Sequence, residues 1–416
     1  MLRIFHTADW HLGQTFHDYD RAYEHQCFLD WLVARLGERK PDVLLVAGDV
    51  FDSINPPASA QRQYYRFLQA ALGAHPKLQI VITAGNHDAA SRLEAPAPIL
   101  GHLGVHVVGT VERDASGEID FSKFIIPLRD AAGSVRALAL AVPFLRIHDL
   151  PRVADTQDPY LAGIRAFYAQ ATDLAEQERI ARYPEAALIA LGHCHMQQGA
   201  VSHESERRLV VGGLESLQAD AFPKLLRYVA LGHLHKPQAL DAGRIRYSGS
   251  PLPLSFSERE YRHQILEVEL SPTGHTQVHA LEIPRTVRLQ RLPAGAVVPL
   301  PELVRMLTDE SFDPELPPER HPFLEVRYLD DGPNPTRRHQ VEQALEGKPV
   351  RLASTKFERP DQPENTDPAA RSETLADLGT VDPVTVFEEA FREHYRCEAD
   401  AEILSLFNEI LMEVAP

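Results

Sequence analysis

The sequence is poor in the features that mark several large classes of protein. Three cysteines stand in 416 residues, Cys27, Cys194 and Cys397. They are too few and too scattered for a disulfide framework, and none sits in a C-x-x-C pair, so a reducing compartment suits them. No stretch approaches about 18 uninterrupted apolar residues, and the chain opens on Met-Leu-Arg-Ile-Phe-His, a strand-like run without a basic segment leading into a long apolar one. Neither export nor membrane spanning is expected, which predicts a cytoplasmic protein. No G-x-x-x-x-G-K-S/T is present, since Gly347-Lys348 is followed by Pro349, and any use of ATP hydrolysis would fall to a partner. Positive charge is also short: 42 Lys and Arg against 59 Asp and Glu leave a net −17, whereas a nucleic-acid-binding domain is expected to be basic.

What is there is an ordinary globular composition, 44% hydrophobic and 24% charged, in a chain long enough for two or three domains at about 150 residues each. The acidity is uneven. Residues 301–416 hold 26 acids and 12 Lys plus Arg, a net of −14, which leaves 33 acids and 30 bases, only −3, in the first 300. An acidic C-terminal region on a nearly neutral body differs from a uniformly acidic protein.

The first part alternates short apolar runs with helical patterns, the signature of an α/β layered core. Arg3–Thr7, Asp42–Ala47, Leu78–Thr83, Ala137–Val142, Ala187–Leu191 and Tyr228–Leu231 read as buried strands, with Arg244–Phe256 and His263–Leu270 as later ones. Helices are expected over Glu24–Leu36, from Phe28, Leu29, Leu32, Val33 and Leu36, and over Ala58–Leu72, which follows Pro56-Pro57. From about Ile283 the texture becomes a compact β-α-β-α-β: Thr286–Leu292, Leu300–Thr308, Phe323–Tyr328, Thr336–Leu345 and Val350–Phe357. Residues 358–383 carry Pro360, Pro363, Pro368 and Pro383 among polar and acidic residues, which suits a linker. After Asp382-Pro383, Val384, Phe387, Phe391 and Tyr395, then Ile403, Phe407, Ile410 and Val414, make two apolar stripes at helical spacing.

Five polar clusters lie directly after expected strands: Asp9-Trp10-His11, Gly48-Asp49, Gly85-Asn86-His87-Asp88, Gly192-His193 and Gly232-His233-Leu234-His235. Strand carboxyl ends are where α/β sites assemble. Asp9, His11, Asp49, Asn86, His193, His233 and His235 are hard or borderline donors, and seven of them suffice for two adjacent divalent ions sharing one carboxylate. The glycines before Asp49, Asn86, His193 and His233 are expected to make tight turns that aim these side chains inward. Singly, each cluster is an ordinary turn or core residue; five in order are not.

These residues resemble the calcineurin-like metallophosphoesterases, whose pattern is D-x-H, G-D, G-N-H-D/E, G-H and G-H-x-H. Within that superfamily, His6-Thr7-Ala8-Asp9-Trp10-His11-Leu12-Gly13, Ala47 to Ser53 with Pro56-Pro57, and Gly249-Ser250-Pro251 are similar to the SbcD family of bacterial nuclease subunits. The resemblance implies an α/β fold: a phosphoesterase sandwich of two β-sheets flanked by helices over residues 1–282, and a small α/β capping, DNA-binding domain over 283–357. A Pro-rich acidic linker over 358–383 and an amphipathic helical pair over 384–416 would follow. It puts one metal on Asp9, His11, Asp49 and His235 and the other on Asp49, Asn86, His193 and His233, with two Mn2+, or Mg2+, as cofactors. It assigns His87 to the transition state and leaving oxygen, with Asp88 as its orienting partner. His195 and Cys194 are expected to stand by, His6 to be a core histidine, and Asp52 to lie near substrate or in a local turn. Arg21, Arg62 and Arg92, near the motif loops, are candidates for DNA phosphates.

The activity so implied is cleavage of DNA phosphodiesters, 3'-to-5' on duplex ends and endonucleolytic on single strands and hairpins. Its partner would be an SbcC-type, SMC-like ATPase with a long coiled coil, which the C-terminal stripes would bind. A homodimer, through Glu24–Leu36 or Ala58–Leu72, would then give a heterotetramer. A phosphatase or phosphodiesterase acting on phosphoproteins or small nucleotides is the alternative. A phosphoprotein phosphatase of this superfamily would carry Arg-Gly soon after the second aspartate, where Phe51-Asp52-Ser53-Ile54 stands. A purple acid phosphatase would carry a tyrosine at Asp52. A non-catalytic scaffold would have lost ligands, and all seven are present. Two divalent ions would bring four positive charges to the place where a phosphate must sit, which a residue count omits.

Overall fold

The computed structural model describes residues 1–154, 156, 158–197, 199–200, 217–272, 274–329 and 336–358. In chain order these form β1 (Leu2–Thr7), the short pair β2 (Thr15–Phe16) and β3 (Tyr19–Asp20), α1 (Ala22–Arg39), β4 (Val43–Ala47), α2 (Ala58–Ala74), β5 (Gln79–Thr83), α3 (Ala90–Glu94), α4 (Ala97–Leu100) and β6 (Val105–Val108). There follow β7 (Ile125–Arg129), β8 (Val135–Ala141), α5 (Pro159–Arg182), β9 (Ala187–His193), β10 (Leu226–Gly232), β11 (Gln238–Leu240), β12 (Ile245–Tyr247), β13 (Gln264–Leu270) and β14 (Thr276–Glu282).

Two six-stranded sheets result, in the orders β14-β13-β1-β4-β5-β6 and β11-β12-β10-β9-β8-β7. Each has four parallel strands in the middle or at one side and antiparallel strands towards the edges. Strand alternation decides the layers. The inner face of the second sheet carries Ile189, Leu191 and Tyr228, its outer face carries Leu138 and Leu140 beside Phe167 and Ala171 of α5, and Ile4, Val43, Leu45 and Val81 of the first sheet face that inner side. Their neighbours Phe5, Leu44, Val46, Ile80 and Ile82 point the other way, onto Phe28 and Leu32 of α1 and Tyr64 and Phe67 of α2. Because both faces are covered, β4 reads Val-Leu-Leu-Val-Ala without a polar residue and every position is buried. This is the expected α/β sandwich of two sheets flanked by helices.

The differences from the sequence reading have local causes. The expected strand over 244–256 stops at Tyr247, because Gly249 takes φ +78 and Pro251 and Pro253 have no N–H to give a ladder. Helix α5 went unanticipated although Asp158-Pro159 marks its start: the Asp158 carboxylate accepts the Leu161 N–H at 3.0 Å, and proline fills the first turn.

Beyond residue 282, β15 (Leu289–Leu292), β16 (Val298–Pro299), α6 (Leu300–Asp309), β17 (Phe323–Leu329), α7 (Arg337–Ala344) and β18 (Arg351–Glu358) complete the chain order, and the four strands make a third sheet. Leu300, Leu303 and Leu307 of α6 and Val341 of α7 pack on Leu324 and Val326. This sheet meets the sandwich through a cluster of Phe16, Phe256, Val287, Leu289 and Phe323. Residues 1–328 and 335–356 group as one compact unit, and 329–334 with 357–416 as a second, of which Leu329, Phe357 and Glu358 are described. The expected linker past residue 358, the helical pair over 384–416 and Cys397 lie outside the described residues. Among the described residues, no helix is long and apolar enough to cross a membrane.

Candidate metal centre

The loops after β1, β4 and β5 of the first sheet and after β9 and β10 of the second converge because the two sheets face each other with these ends together. The first two are zipped by backbone hydrogen bonds from Asp9 N–H to Gly48 O at 3.1 Å and from His11 N–H to Asp49 O at 3.0 Å. Four of the seven expected ligands have left-handed backbones, Asp9 (φ 55°), His11 (φ 47°), Asp49 (φ 49°) and His233 (φ 99°). Such conformations cost about 1–3 kcal/mol each and gather at functional sites. The glycines do a different job from the one expected of them. Only Gly48, at φ +87°, is left-handed, while Gly85 is required for space: a Cβ there would stand 2.1 Å from Asp49 Oδ1.

Asp9, His11 and His235 bring their donor atoms within 4.8 Å of one another, as do Asp9, Asp49 and His193. Asp49 Oδ2 is 3.2 Å from His193 Nε2 and 3.6 Å from His11 Nε2. Asn86 Oδ1 completes the second group, 3.0 Å from His193 Nε2 and 3.1 Å from His233 Nδ1. All seven candidates therefore meet in one place. Behind them the other ring nitrogens are anchored: His193 Nδ1 donates to Ala47 O at 3.0 Å, His235 Nδ1 lies 3.0 Å from Glu258 Oε1, and His11 Nδ1 lies 3.2 Å from Asp52 Oδ1. With Nδ1 so held, Nε2 of each faces the centre, the arrangement that orients imidazoles for a metal.

The donors fit a divalent cation. Buried Asp9 Oδ2 and His11 Nε2 have no hydrogen-bond partner, although both point into the cluster. Burial pushes the Asp9 carboxyl up to about 7, against the pull of His193 and His235. Burial would raise Asp49 too, but His193, His11 and His87 outweigh it and hold that carboxyl well below the usual range. His193 is raised to about 9, since Asp49 and Asp9 overcome the burial that opposes its charge. Burial pushes His11 and His233 down, leaving neutral imidazoles with lone pairs to give. Carboxylate, neutral imidazole and amide oxygen together suit first-row divalent ions.

Half-buried His87 sits at the rim, its ring centroid 4.8 Å from that of His11. Its N–H donates to Asp49 Oδ1 at 2.8 Å and its Nδ1 to the Asp52 carbonyl at 2.9 Å. Asp88 does not orient it. Buried beneath, Asp88 accepts the N–H groups of Gly85, Phe51 and Val50 at 2.8, 2.9 and 3.2 Å, clasping two motif loops together. Burial, with Asp49 nearby, raises its carboxyl to about 6. Asp52 thus serves two histidines, His11 through its carboxylate and His87 through its carbonyl, a role its sequence context did not reveal. Glu258 was missed altogether, for Ser255-Phe-Ser-Glu-Arg carries no motif.

Arg21 is corrected as a phosphate contact. It is fully buried, forks onto Glu24 at 2.7 and 2.9 Å, and donates to Pro253 O at 2.6 Å, so no phosphate can reach it. Arg62 is exposed on α2, and exposed Arg92 donates to Asn55 Oδ1 at 2.6 Å. His195 lies outside the donor groups, its ring 6.3 Å from that of His233. His6 is a core residue, with Nδ1 2.9 Å from the Tyr228 hydroxyl.

Comparison with known proteins agrees with this picture. Residues 2–237 match the family described as calcineurin-like phosphoesterase, and residues 285–395 the type 5 capsule protein repressor C-terminal domain, SbcD_C in short. The chain is 43% identical over 399 residues to the SbcD subunit of the SbcCD nuclease of Rhodobacter capsulatus, covering 94% of each. It is 30% identical over 386 residues to the protein of the same name from Escherichia coli, covering 91% of this chain and 90% of the other. The one from Bacillus subtilis is 37% identical over 276 residues, 65% of this chain and 67% of the other. On its motifs, its sandwich and these matches, the chain belongs to the calcineurin-like phosphoesterases, and within them to the SbcD family of metal-dependent nuclease subunits.

Proposed function

We propose that the protein is a dinuclear-metal DNA nuclease in which Asp9, His11, Asp49 and His235 hold one ion and Asp49, Asn86, His193 and His233 the other. The observation that carries this is the position of Asp49 Oδ2 between the Nε2 atoms of His193 and His11, at 3.2 and 3.6 Å. Manganese is the ion proposed, with magnesium as the other candidate. Two such ions supply a nucleophilic water near neutral pH and charge stabilisation at a phosphodiester. The protein does the rest. Neutral His11 and His233 give lone pairs without a proton to displace, and Asp49 binds both halves through one carboxylate. His87, its Nδ1 proton held by the Asp52 carbonyl, presents Nε2 at the rim as the atom that hands a proton to the leaving oxygen.

The substrate proposed is DNA, cleaved 3'-to-5' at duplex ends and internally in single strands and hairpins, and the partner an SbcC-type, SMC-like ATPase. Relatives named as subunits of the SbcCD nuclease support both. In this reading residues 1–282 are the phosphoesterase and 283–357 cap it against DNA. Residues 358–383 link to a helical pair, 384–416, that binds the ATPase coiled coil, and a homodimer completes a heterotetramer. The net −14 beyond residue 300 supports a partner-binding role for that end, and the body, at −3, would hold DNA firmly only with dimerisation and the ATPase.

The deciding experiment incubates the pure protein, Asp49→Ala and His87→Ala with linear and hairpin DNA in manganese. Wild type should degrade both and the variants neither. Intact DNA alongside hydrolysis of a phosphopeptide or cyclic nucleotide would sink the nuclease reading. Deletion of residues 380–416 should abolish co-purification with the ATPase; unchanged binding would remove that assignment.

A further inference from the structure

Glu258 lies outside every motif loop, yet it is fully buried and both of its oxygens are engaged. Oε1 is 3.0 Å from His235 Nδ1, and Oε2 accepts the Leu254 N–H at 2.8 Å. With the Nδ1 proton given to a carboxylate, His235 keeps its Nε2 lone pair and a fixed ring plane. Outer carboxylates of this kind typically carry about 10–100-fold in metal affinity.

The turn that bears Glu258 is itself held from outside the sandwich. Phe256, two residues earlier, stacks 5.2 Å from Phe16, and Phe16 lies 4.8 Å from Phe323 of β17 in the third sheet. Arg21 ties the same pieces together, donating to Pro253 O at 2.6 Å and to Gln14 Oε1 at 3.0 Å, with its guanidinium 5.1 Å from the Phe16 ring. Tyr19, next to the hairpin turn, reaches Leu352 O of β18 at 3.3 Å. The chain from His11 to this cluster is short: Gln14 N–H returns to His11 O at 3.0 Å, and Phe16 follows two residues later. So His11, through its own segment, and His235, through Glu258, are both tied to pieces pinned by the third sheet. Asn86, His193 and His233 are instead carried at the ends of β5, β9 and β10, whose packing lies within the sandwich.

We propose that Glu258 is a positioning residue for His235, and that docking of the third sheet on the Phe16–Phe256–Phe323 cluster sets the cation affinity of the Asp9–His11–His235 half of the centre, leaving the other half unaffected. This rests on the reading that the centre binds two divalent ions. Linkage makes the effect reciprocal: an ion in that half stiffens the hairpin and the 253–258 turn.

The test measures Mn2+ bound per chain by the free-Mn2+ electron paramagnetic resonance signal, on the full-length protein, with a melting curve for each variant. Wild type should bind two ions. Glu258→Ala should weaken one of them by about 10- to 100-fold and leave the other within about twofold, and Glu258→Gln, which keeps an acceptor for Nδ1, should recover part of the loss. Phe323→Leu should weaken the same ion. If Phe323→Leu does not fold, Arg351→Gln reads the coupling more gently, since that guanidinium lies 3.8 Å from the Phe323 ring. A folded Glu258→Ala that binds both ions like wild type, or loses both equally, overturns the proposal. A wild type that binds no Mn2+ overturns instead the dinuclear reading on which it stands.

Discussion

His193 Nε2 stands 3.2 Å from Asp49 Oδ2 with both side chains buried, and His11 Nε2 approaches the same oxygen at 3.6 Å. On the dinuclear reading proposed above, one carboxylate serves both halves of the centre, and removing its charge should disable both together. Ion stabilisation of a phosphoryl transition state is worth several kcal/mol, and about 4 kcal/mol is about 10³ in rate. Asp49→Asn should lower DNA hydrolysis by at least that factor while binding fewer than one Mn2+ per chain. Activity within tenfold of wild type would show that Asp49 is not shared.

His87 and Asp88 are neighbours with separable roles. His87→Ala removes a ring at the rim and should cost about 10²–10⁴-fold in kcat with both ions still bound and little change in Tm. Asp88→Ala orphans the N–H groups of Gly85, Phe51 and Val50, each worth about 1–3 kcal/mol when buried without a partner, and should lower Tm sharply. Matching kinetic losses with matching melts would refute the division.

Arg21 and Arg62 should part in the same way. Truncating Arg21 leaves buried Glu24 without its cation, which costs about 3–5 kcal/mol for a buried pair, so Arg21→Met should be destabilised. Exposed Arg62→Ala should melt like wild type and, if it touches a phosphate, reduce the salt dependence of DNA binding by about one unit of slope. An Arg21 variant of native stability with weak DNA binding would restore the discarded role.

Acid should destabilise the protein through histidines away from the centre. Burial pushes His6 and His25 down to about 3 and His263 to about 4, from an ordinary 6.5. Between 6.5 and those values the unfolded chain binds the protons that the folded chain refuses. Stability is therefore full above pH 6.5 and falls as pH drops towards 4 and 3, by about 1.4 kcal/mol per pH unit for each group. Denaturant midpoints from pH 7 to 4.5 check the slope, and His6→Leu should flatten it by about 1.4 kcal/mol per pH unit. An unchanged slope would mean that His6 is not buried neutral.

Much of this centre was readable in one dimension. Asp9, Asp49, Asn86, His193 and His233 each follow a run of apolar residues, and a strand that ends abruptly at a polar residue announces both a sheet and its carboxyl edge. Helix α5 had its signal in Asp158-Pro159 and was still not anticipated. Glu258, the double service of Asp52 and the burial of Arg21 were not readable, because each depends on residues far away: His235, His11 with His87, and Phe323, which is brought to Arg21 by a separate sheet.

The sequence by itself determined which donors are available, their order, and their place after buried strands, because these follow from local hydrophobic pattern and from side-chain chemistry. Tertiary structure decided which oxygen faces which nitrogen, which ring nitrogen is anchored and which is left to bind, and which arginine is a strut. Those depend on two sheets meeting face to face and a third closing on their edge, and such long-range packing leaves no periodic trace in the segments it joins.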